Sequence, residues 1–206
     1  MARLRSPKGC PWDREQNHFT LRWHAVEEVY ELLDAIEARD DHELAEELGD
    51  LLLQVVFHCQ LAAERGAFDF EKVARHITDK LIRRHPHVFG DVKVKNVDQV
   101  WANWEKIKRA EKHGTRHARA SALDGIPKHL PALLRAEKLL KKARRAKITG
   151  ASAGGRKLTR SRLAKTLFDL ANFAQCRGWS AEELLRTETQ KRERIWRRLE
   201  YKGAAS

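Results

Sequence analysis

The stretch from Val26 to Phe57 constrains the fold most, because it carries two helical patterns of apolar residues separated by only a few polar ones. Four apolar residues recur at helical spacing in the first pattern: Val26, Val29, Leu33 and Ile36. This pattern predicts a helix from about Phe19 to Ala38. After the break at "RDD", a second helix is predicted from about Asp41 to Arg65. Its segment Leu51–Phe57 is apolar except for Gln54, which predicts a central, buried helix.

The rest of the chain continues in helical patterns, and no segment shows the alternation of a strand. Residues 1–17 are predicted to be irregular because of their prolines and glycine. Pro127 and Pro131 mark helix-start positions. Further helices are expected at about Asp69–Arg84, Val97–Lys112, Leu158–Arg177 and Ala181–Glu200, and another is expected to start at Pro127 or Pro131 and to end at about Lys147. The sequence therefore predicts an all-α protein.

Composition excludes several classes for this 206-residue chain. No apolar run approaches the length of a membrane helix, and the first residues lack the apolar stretch of a signal peptide. Three widely spaced cysteines without a CxxC pair predict reduced thiols, no zinc site and a cytoplasmic location. The net charge of +12 is uneven, since residues 1–130 hold 21 basic and 22 acidic residues while residues 131–206 hold 20 and 7. Basicity therefore belongs to the C-terminal third.

The glycine-rich segment "TGASAGGRK", beginning at Thr149, is the best candidate for a linker. The residues after it repeat, loosely, the pattern of the second predicted helix and its successor: helix, glycine, aromatic residue, helix and basic pair. In this alignment Arg162 stands opposite Glu47 and Lys165 opposite Asp50. We therefore expect a second, degenerate repeat that has lost its acids and its first helix.

Carboxylates border the apolar faces of both leading helices. Glu28 and Glu31 are three residues apart on the first helix, and Glu47 and Asp50 are three apart on the second. If the two helices pair antiparallel across their short turn, four carboxylates converge. Acids that close repel each other unless a cation lies between them, and oxygen-only ligands are those that Mg²⁺ or Mn²⁺ prefers.

Two other interpretations compete with a magnesium site. Glutamates on helices usually face water, although the apolar surroundings of Asp50 weaken that interpretation. A di-iron bundle requires Glu-x-x-His motifs, and neither acid pair has a histidine three residues further on. The spacing of two acid pairs on adjacent helices favours a hard divalent cation.

The acids stand in the motif "EEVYE", fifteen residues, then "ELGD", and this motif resembles the EExxE…ExxD signature of MazG-type nucleoside triphosphate pyrophosphohydrolases. Four more blocks resemble that family in its order: "GCPWDREQ", "DKLIRRHPHVFGD", "WEKIKRAEK" and "ALDGIPKHLPALLRAEKL". The resemblance covers residues 3 to about 147. It implies a MazG-like helical bundle of four-helix type, completed by dimerisation.

The resemblance also implies an activity: Mg²⁺-dependent hydrolysis of a nucleoside triphosphate to the monophosphate and pyrophosphate, in the service of cleansing nucleotide pools. By motif position, the metal ligands would be Glu28, Glu31, Glu47 and Asp50. Mn²⁺ is a plausible substitute for Mg²⁺. Glu28 would also serve in catalysis, and Glu27 would either support a ligand or assist the attacking water.

Cationic and aromatic side chains for the nucleotide are also implied. Lys80 and Arg84 lie four residues apart, as a phosphate clamp or as a solvated basic face. Trp104 and Lys108 form a second such pair, with the tryptophan either in a core or stacked on a base. The resemblance favours the nucleotide in both cases.

The expected domain organisation is a pyrophosphohydrolase domain at 1–147, a linker at 148–157 and a degenerate basic segment at 158–206. A homodimer is expected, because a small bundle with exposed apolar faces needs a partner. The alternative function is a non-catalytic helical module whose basic C-terminal third binds nucleic acid. No reader motif supports that alternative, and solvated helix faces account for the charge, so nucleic acid is not favoured.

Overall fold

The computed structural model describes residues 1–112, 114–115, 120–149 and 158–204, and within them every regular element is a helix. The chain folds as two compact units, Met1–Ile107 and Lys108–Ser206. The helices are α1 (Pro11–Glu15), α2 (His24–Ala38), α3 (Asp41–Glu64), α4 (Phe70–Arg84), α5 (Pro86–Phe89), α6 (Val97–Lys112), α7 (Ala132–Arg145), α8 (Arg160–Cys176) and α9 (Ala181–Ala204). The all-α prediction is confirmed. No described helix is both long and apolar enough to cross a bilayer.

A two-residue turn folds α2 back onto α3, and these two helices pack against each other. Arg39 ends α2 in the left-handed region, with φ 57°. Asp40 then caps α3, because its Oδ1 accepts hydrogen bonds from the backbone N–H groups of His42 at 2.9 Å and Glu43 at 3.2 Å. The "RDD" break seen in the sequence is therefore an ordered turn with a helix cap, and it sets how α2 and α3 face each other.

The N-terminal arm, residues 1–21, packs on the second half of α3. Leu21 forms a buried cluster with Phe57 and Leu61. Arg5 donates from Nε and Nη2 to the two carboxylate oxygens of Glu64, at 2.7 and 2.8 Å. These contacts hold together the start of the chain and the end of the helix that carries the acids.

Three sequence expectations differ from the structure in the first unit. The first long helix begins at His24 rather than near Phe19, and the segment expected to be irregular contains the short helix α1, with Pro11 at its first position. The apolar run of α3 is only partly buried, because Leu52 is 54% exposed. α2, α4 and the N-terminal arm each cover part of α3, and the side chains that none of them covers stay exposed.

The second unit is built mainly from α7 packed on α9. Leu123, Leu139 and Ala143 form its buried cluster, with Trp196 of α9 against them. The first backbone N–H of α7, that of Ala132, donates to both carboxylate oxygens of Glu182 at 2.9 Å. The helix predicted to start at Pro127 or Pro131 is present, but it begins at Ala132, with Pro131 as its N-cap and Pro127 outside it.

The α3–α4 and α8–α9 connections have the same local geometry. Gly66 and Gly178 adopt φ values of 69° and 70°, which glycine tolerates without strain. The next N–H in each turn donates five residues back, from Ala67 to Ala62 and from Trp179 to Ala174, both at 2.9 Å. This shared turn supports the predicted repeat.

The compact units divide the chain earlier than the predicted domains do, inside α6, so α7 lies in the second unit. The predicted division into a pyrophosphohydrolase domain at 1–147, a linker at 148–157 and a degenerate segment at 158–206 stays a prediction. Most of the predicted linker, residues 150–157, lies outside the described residues.

Candidate active site

The α2–α3 pair brings three of the predicted acids together. Glu28 comes from α2, and Glu47 and Asp50 come from α3. One carboxylate oxygen from each of the three lies within 4.8 Å of the others, and all three residues are half-buried. Glu28 and Asp50 each stand eleven residues from Arg39, one on either side of the turn. The turn therefore places them at matching heights, and we call this group the acid cluster.

The acid cluster has an unfavourable electrostatic environment when no cation is bound. Burial raises the pKa of Glu28, the charges of Asp50, Glu31 and Glu27 add to the rise, and a hydrogen bond from Gln54 opposes it. Burial likewise raises the pKa of Glu47, followed by the charges of Glu31 and Asp50. Both glutamates are therefore harder to ionise than an ordinary surface glutamate.

Glu31 and Glu27 border the cluster without joining it. Glu31 is exposed, one helical turn after Glu28, and its charge raises the pKa of both Glu28 and Glu47. Glu27 is also exposed, and its Oε2 lies 3.6 Å from Nδ1 of His24. The structure thus gathers three of the four predicted ligands and leaves the fourth beside them.

The donor set of the cluster fits a hard divalent cation. Carboxylate oxygens are its only ligand atoms, as Mg²⁺ and Mn²⁺ prefer. Oε2 of Glu47 is buried and accepts no hydrogen bond from any residue that the structure describes. A buried carboxylate oxygen without a donor is costly, and a bound cation removes that cost. The convergence therefore suits an ion better than it suits a purely structural role.

Sequence reasoning assigned no role to Gln54, although it singled this residue out as polar within an apolar run. Gln54 is buried, and its Nε2 donates to Oε1 of Glu28 at 3.2 Å. The exception in the hydrophobic pattern was the available signal. Only the packing of α2 on α3 shows which partner the amide meets.

The predicted phosphate-binding cations lie on α4, which packs against α3. Lys80 is exposed and Arg84 is half-buried at the last residue of the helix. Neither belongs to the acid cluster. The structure therefore places these two cations on the neighbouring helix, and their role toward a nucleotide stays a prediction.

Trp104 and Lys108 lie one helical turn apart on α6, and both are half-buried. The Trp104 ring meets His85 edge-on, with centroids 5.7 Å apart, and Trp101 at 5.5 Å. His85 follows directly after Arg84, so an aromatic group adjoins the end of α4. The role of Trp104 toward a nucleotide base stays a prediction.

The basic second unit uses several of its cations internally. Arg135 pairs with Glu193 at 2.5 Å, and Arg197 bridges Glu193 at 2.7 Å and Asp124 at 2.6 Å. On α8, the residues aligned with the acids, Arg162 and Lys165, are exposed. The internal pairs reduce the charge available to nucleic acid. The pattern of these ion pairs identifies no nucleic-acid-binding surface among the described residues.

Comparison with known proteins agrees with this geometry. Residues 16–89 match the family model of the MazG nucleotide pyrophosphohydrolase domain. The chain is 52% identical over 143 residues to the nucleoside triphosphate pyrophosphohydrolase of Escherichia coli strain K12, which is 69% of this chain and 54% of that protein.

Two further relatives extend the comparison. The nucleoside triphosphate pyrophosphohydrolase/pyrophosphatase MazG of Thermotoga maritima is 47% identical over 143 residues, 69% of this chain and 53% of that protein. The protein YabN of Bacillus subtilis strain 168 is 51% identical over 138 residues, 67% of this chain but 28% of that protein. The chain therefore spans about half the length of two of these relatives and less of the third.

Proposed function

Because residues 16–89 match the family model of the MazG nucleotide pyrophosphohydrolase domain, we propose that the chain hydrolyses nucleoside triphosphates to nucleoside monophosphates and pyrophosphate. The observation that carries the proposal is the convergence of Glu28, Glu47 and Asp50 to within 4.8 Å. The names of the relatives from Escherichia coli and Thermotoga maritima support the same reaction class.

In this proposal the acid cluster holds Mg²⁺, with Mn²⁺ as a substitute, and Glu31 joins as a fourth ligand from its position one turn along α2. The cation would neutralise triphosphate charge and lower the pKa of an attacking water. Attack at the α-phosphorus forms a bond from water oxygen to phosphorus, and the bond from that phosphorus to the α,β-bridging oxygen breaks. Pyrophosphate leaves with the bond's electrons, and Glu27 and Glu28 are the candidates to accept the water's proton.

The rest of the nucleotide requires side chains beyond the acid cluster. Lys80 and Arg84 are proposed to bind phosphate oxygens, because their cationic groups come from α4, the neighbour of α3. Trp104 is proposed to stack on the base, with Lys108 one turn further along α6. A tetra-anionic substrate needs cations from the protein, whereas the acid cluster supplies only negative charge.

The predicted homodimer belongs to the same proposal. Leu52 and Leu53 of α3, in the middle of the helix that carries Glu47 and Asp50, are exposed in the chain described here. A second copy packed on this face of α3 would bury both leucines and would form one side of the active site. A cytoplasmic setting, where nucleoside triphosphates are made and used, completes the proposal.

The test is pyrophosphate release from a panel of ribo- and deoxyribonucleoside triphosphates with Mg²⁺. We expect matching amounts of monophosphate and pyrophosphate from the wild type. Asp50→Asn keeps the shape of the side chain but removes one charge, and we expect it to lower kcat/KM by at least about 100-fold. Asp34→Asn, on the exposed surface of α2, is the matched control and should keep wild-type activity.

Two outcomes would contradict the proposal. A folded wild-type protein that releases no pyrophosphate from any nucleotide in the panel would show that the acids do not support this reaction. Equal losses in Asp50→Asn and Asp34→Asn would show that the effect is not specific to the acid cluster. In the first case, retention of the full chain on immobilised RNA or DNA would support the alternative function, nucleic-acid binding by the basic second unit.

A further inference from the structure

Gln54 occupies a position that helical geometry ties to the acid cluster. It lies one turn after Asp50 and two turns after Glu47 on α3, so all three share one face of the helix. It is also the one polar residue between Leu51 and Phe57, and its side chain is 7% exposed. A buried amide in an apolar run has to be satisfied by specific partners.

The two ends of the Gln54 amide lie in different surroundings. Nε2 donates to Oε1 of Glu28 at 3.2 Å. Since an ionised carboxylate only accepts hydrogen bonds, this contact fixes which end of the amide faces Glu28. Oε1 of Gln54 is consequently turned away from that contact, and it is buried without a donor among the residues that the structure describes.

A neutral donor suits this position. An arginine or lysine at this position would neutralise the carboxylate and compete with a cation for it. An amide orients the carboxylate and leaves its full charge for the ion.

We propose that Gln54 is the positioning residue of the acid cluster: its Nε2 orients the Glu28 carboxylate for the divalent cation, and its buried Oε1 accepts a hydrogen bond from a water held by that cation. Mg²⁺ keeps several of its waters when it binds protein carboxylates, and those waters are strong donors. This inference rests on the proposed function, because it requires the acids to bind a cation.

The same helix offers a matched control. Gln60 donates from Nε2 to Oε1 of Glu64 at 3.1 Å, a bond of the same kind and nearly the same length. It lies six residues further along α3, and its glutamate pairs with Arg5 rather than with other acids. Gln60→Met therefore removes a glutamine–glutamate hydrogen bond from α3 without touching the acid cluster.

The experiment measures Mn²⁺ binding by isothermal titration calorimetry to the full chain, without nucleotide, for the wild type, Gln54→Met, Gln60→Met and Asp50→Asn. Methionine keeps the length and flexibility of the glutamine side chain but removes the amide. We expect Gln54→Met to weaken Mn²⁺ binding by about 10-fold or more, the usual effect of losing a residue that orients a ligand. Gln60→Met should stay within about twofold of the wild type.

A measurement on the unmodified protein guards against a variant that fails to fold. In ¹H–¹⁵N spectra of the wild type, Mg²⁺ should shift the side-chain NH₂ resonances of Gln54 with the same dissociation constant as binding, and leave those of Gln60 in place. Mn²⁺ affinity in Gln54→Met within twofold of the wild type, or Gln54 resonances unmoved by saturating Mg²⁺, would overturn the inference while leaving the proposed function intact. A wild type that binds neither ion would overturn both.

Discussion

Half-buried carboxylates occur in both compact units, and the two units treat them in opposite ways. In the first unit the neighbours of Glu28 and Glu47 are other acids, and the pKa of each glutamate is raised. In the second unit burial also acts to raise the pKa of Asp124 and Glu193. Hydrogen bonds from Ser121 and Arg197 to Asp124, and from Arg197 and Arg135 to Glu193, outweigh burial and lower both values.

The contrast indicates which acids serve the fold and which serve a ligand. The second unit supplies its own cations, so its acids add to stability as the chain folds. The first unit assembles its acids at a cost and supplies no matching cation within the acid cluster. Costs of this kind persist in proteins mainly at functional sites. The comparison therefore supports an external cation for α2 and α3, and structural ion pairs for α7 and α9.

The largest expected effect on stability comes from breaking the internal pairing of the second unit. Glu193→Gln leaves the Arg135 guanidinium, whose side chain is 7% exposed, without its carboxylate. We expect the free energy of unfolding of this unit to fall by about 3 kcal/mol, because an uncompensated buried charge is left behind. Urea unfolding followed by hydrogen exchange in α9 measures the change.

The control for that prediction lies on the same helix. Glu188 pairs with Arg192 at 2.8 Å, but both side chains are about half exposed or more. Glu188→Gln should change the free energy of unfolding by less than about 1 kcal/mol. Equal effects of the two substitutions would show that burial of Arg135 does not set the strength of the pair, and the contrast between the units would lose its basis.

The next effect is stabilisation of the first unit alone by a divalent cation. Mg²⁺ at 100 times its dissociation constant should raise the free energy of unfolding of the α2–α3 pair by about 2.7 kcal/mol, because the ion binds only the folded state. Removal of the ion with EDTA should reverse the gain. Hydrogen exchange of amides in α3 reports the stability of the first unit, and that of amides in α9 reports the stability of the second.

Asp50→Asn is the control for that experiment. It should lose most of the stabilisation by Mg²⁺ in α3, and α9 should respond to the ion in neither protein. If Mg²⁺ increases the protection of amides from hydrogen exchange equally in α3 and α9, the ion acts generally on the protein rather than through the acid cluster.

The smallest expected effects are the pH dependences, which should have opposite signs in the two units. Glu47 has a raised pKa, so metal-free wild type should be less stable than Glu47→Gln at pH 7. That deficit should shrink as pH falls through the raised pKa and vanish below the unfolded value of about 4.3. Burial and His18 lower the pKa of His58. The titration of His58 in this pH range contributes equally to wild type and Glu47→Gln, so it cancels from the difference between their stabilities.

Glu193 should show the reverse behaviour. Its pKa is lowered, so its contribution is fully present above the unfolded value and is lost as pH falls through the folded value. Wild type should therefore exceed Glu193→Gln in stability at pH 7, with the advantage declining below about pH 4. Urea midpoints measured from pH 7 to pH 3 test both signs, and differences of the same sign in the two units would contradict the comparison.

Much of the fold followed from local patterns in the sequence. The limits of α3, α4 and α6 agree with the predicted helices to within a residue or so, because apolar periodicity and the residues Asp40, Gly66 and Asp69 mark their ends. The start of α2 was less predictable. Residues 19–23 continue the helical pattern in composition, but the arm that packs Leu21 against Phe57 requires a turn there.

The sequence by itself determined that the chain is helical, that a short turn separates α2 from α3, and which acids lie at helical spacing, because these properties depend on residues three or four positions apart. Only the tertiary structure decided that Glu28 meets Asp50 and Glu47 while Glu31 stays outside, and that Gln54 donates to Glu28. It also decided that Arg135 and Arg197 are used by Glu193. Such choices depend on how one helix rotates against another, and the spacing of residues within a single helix does not specify that rotation.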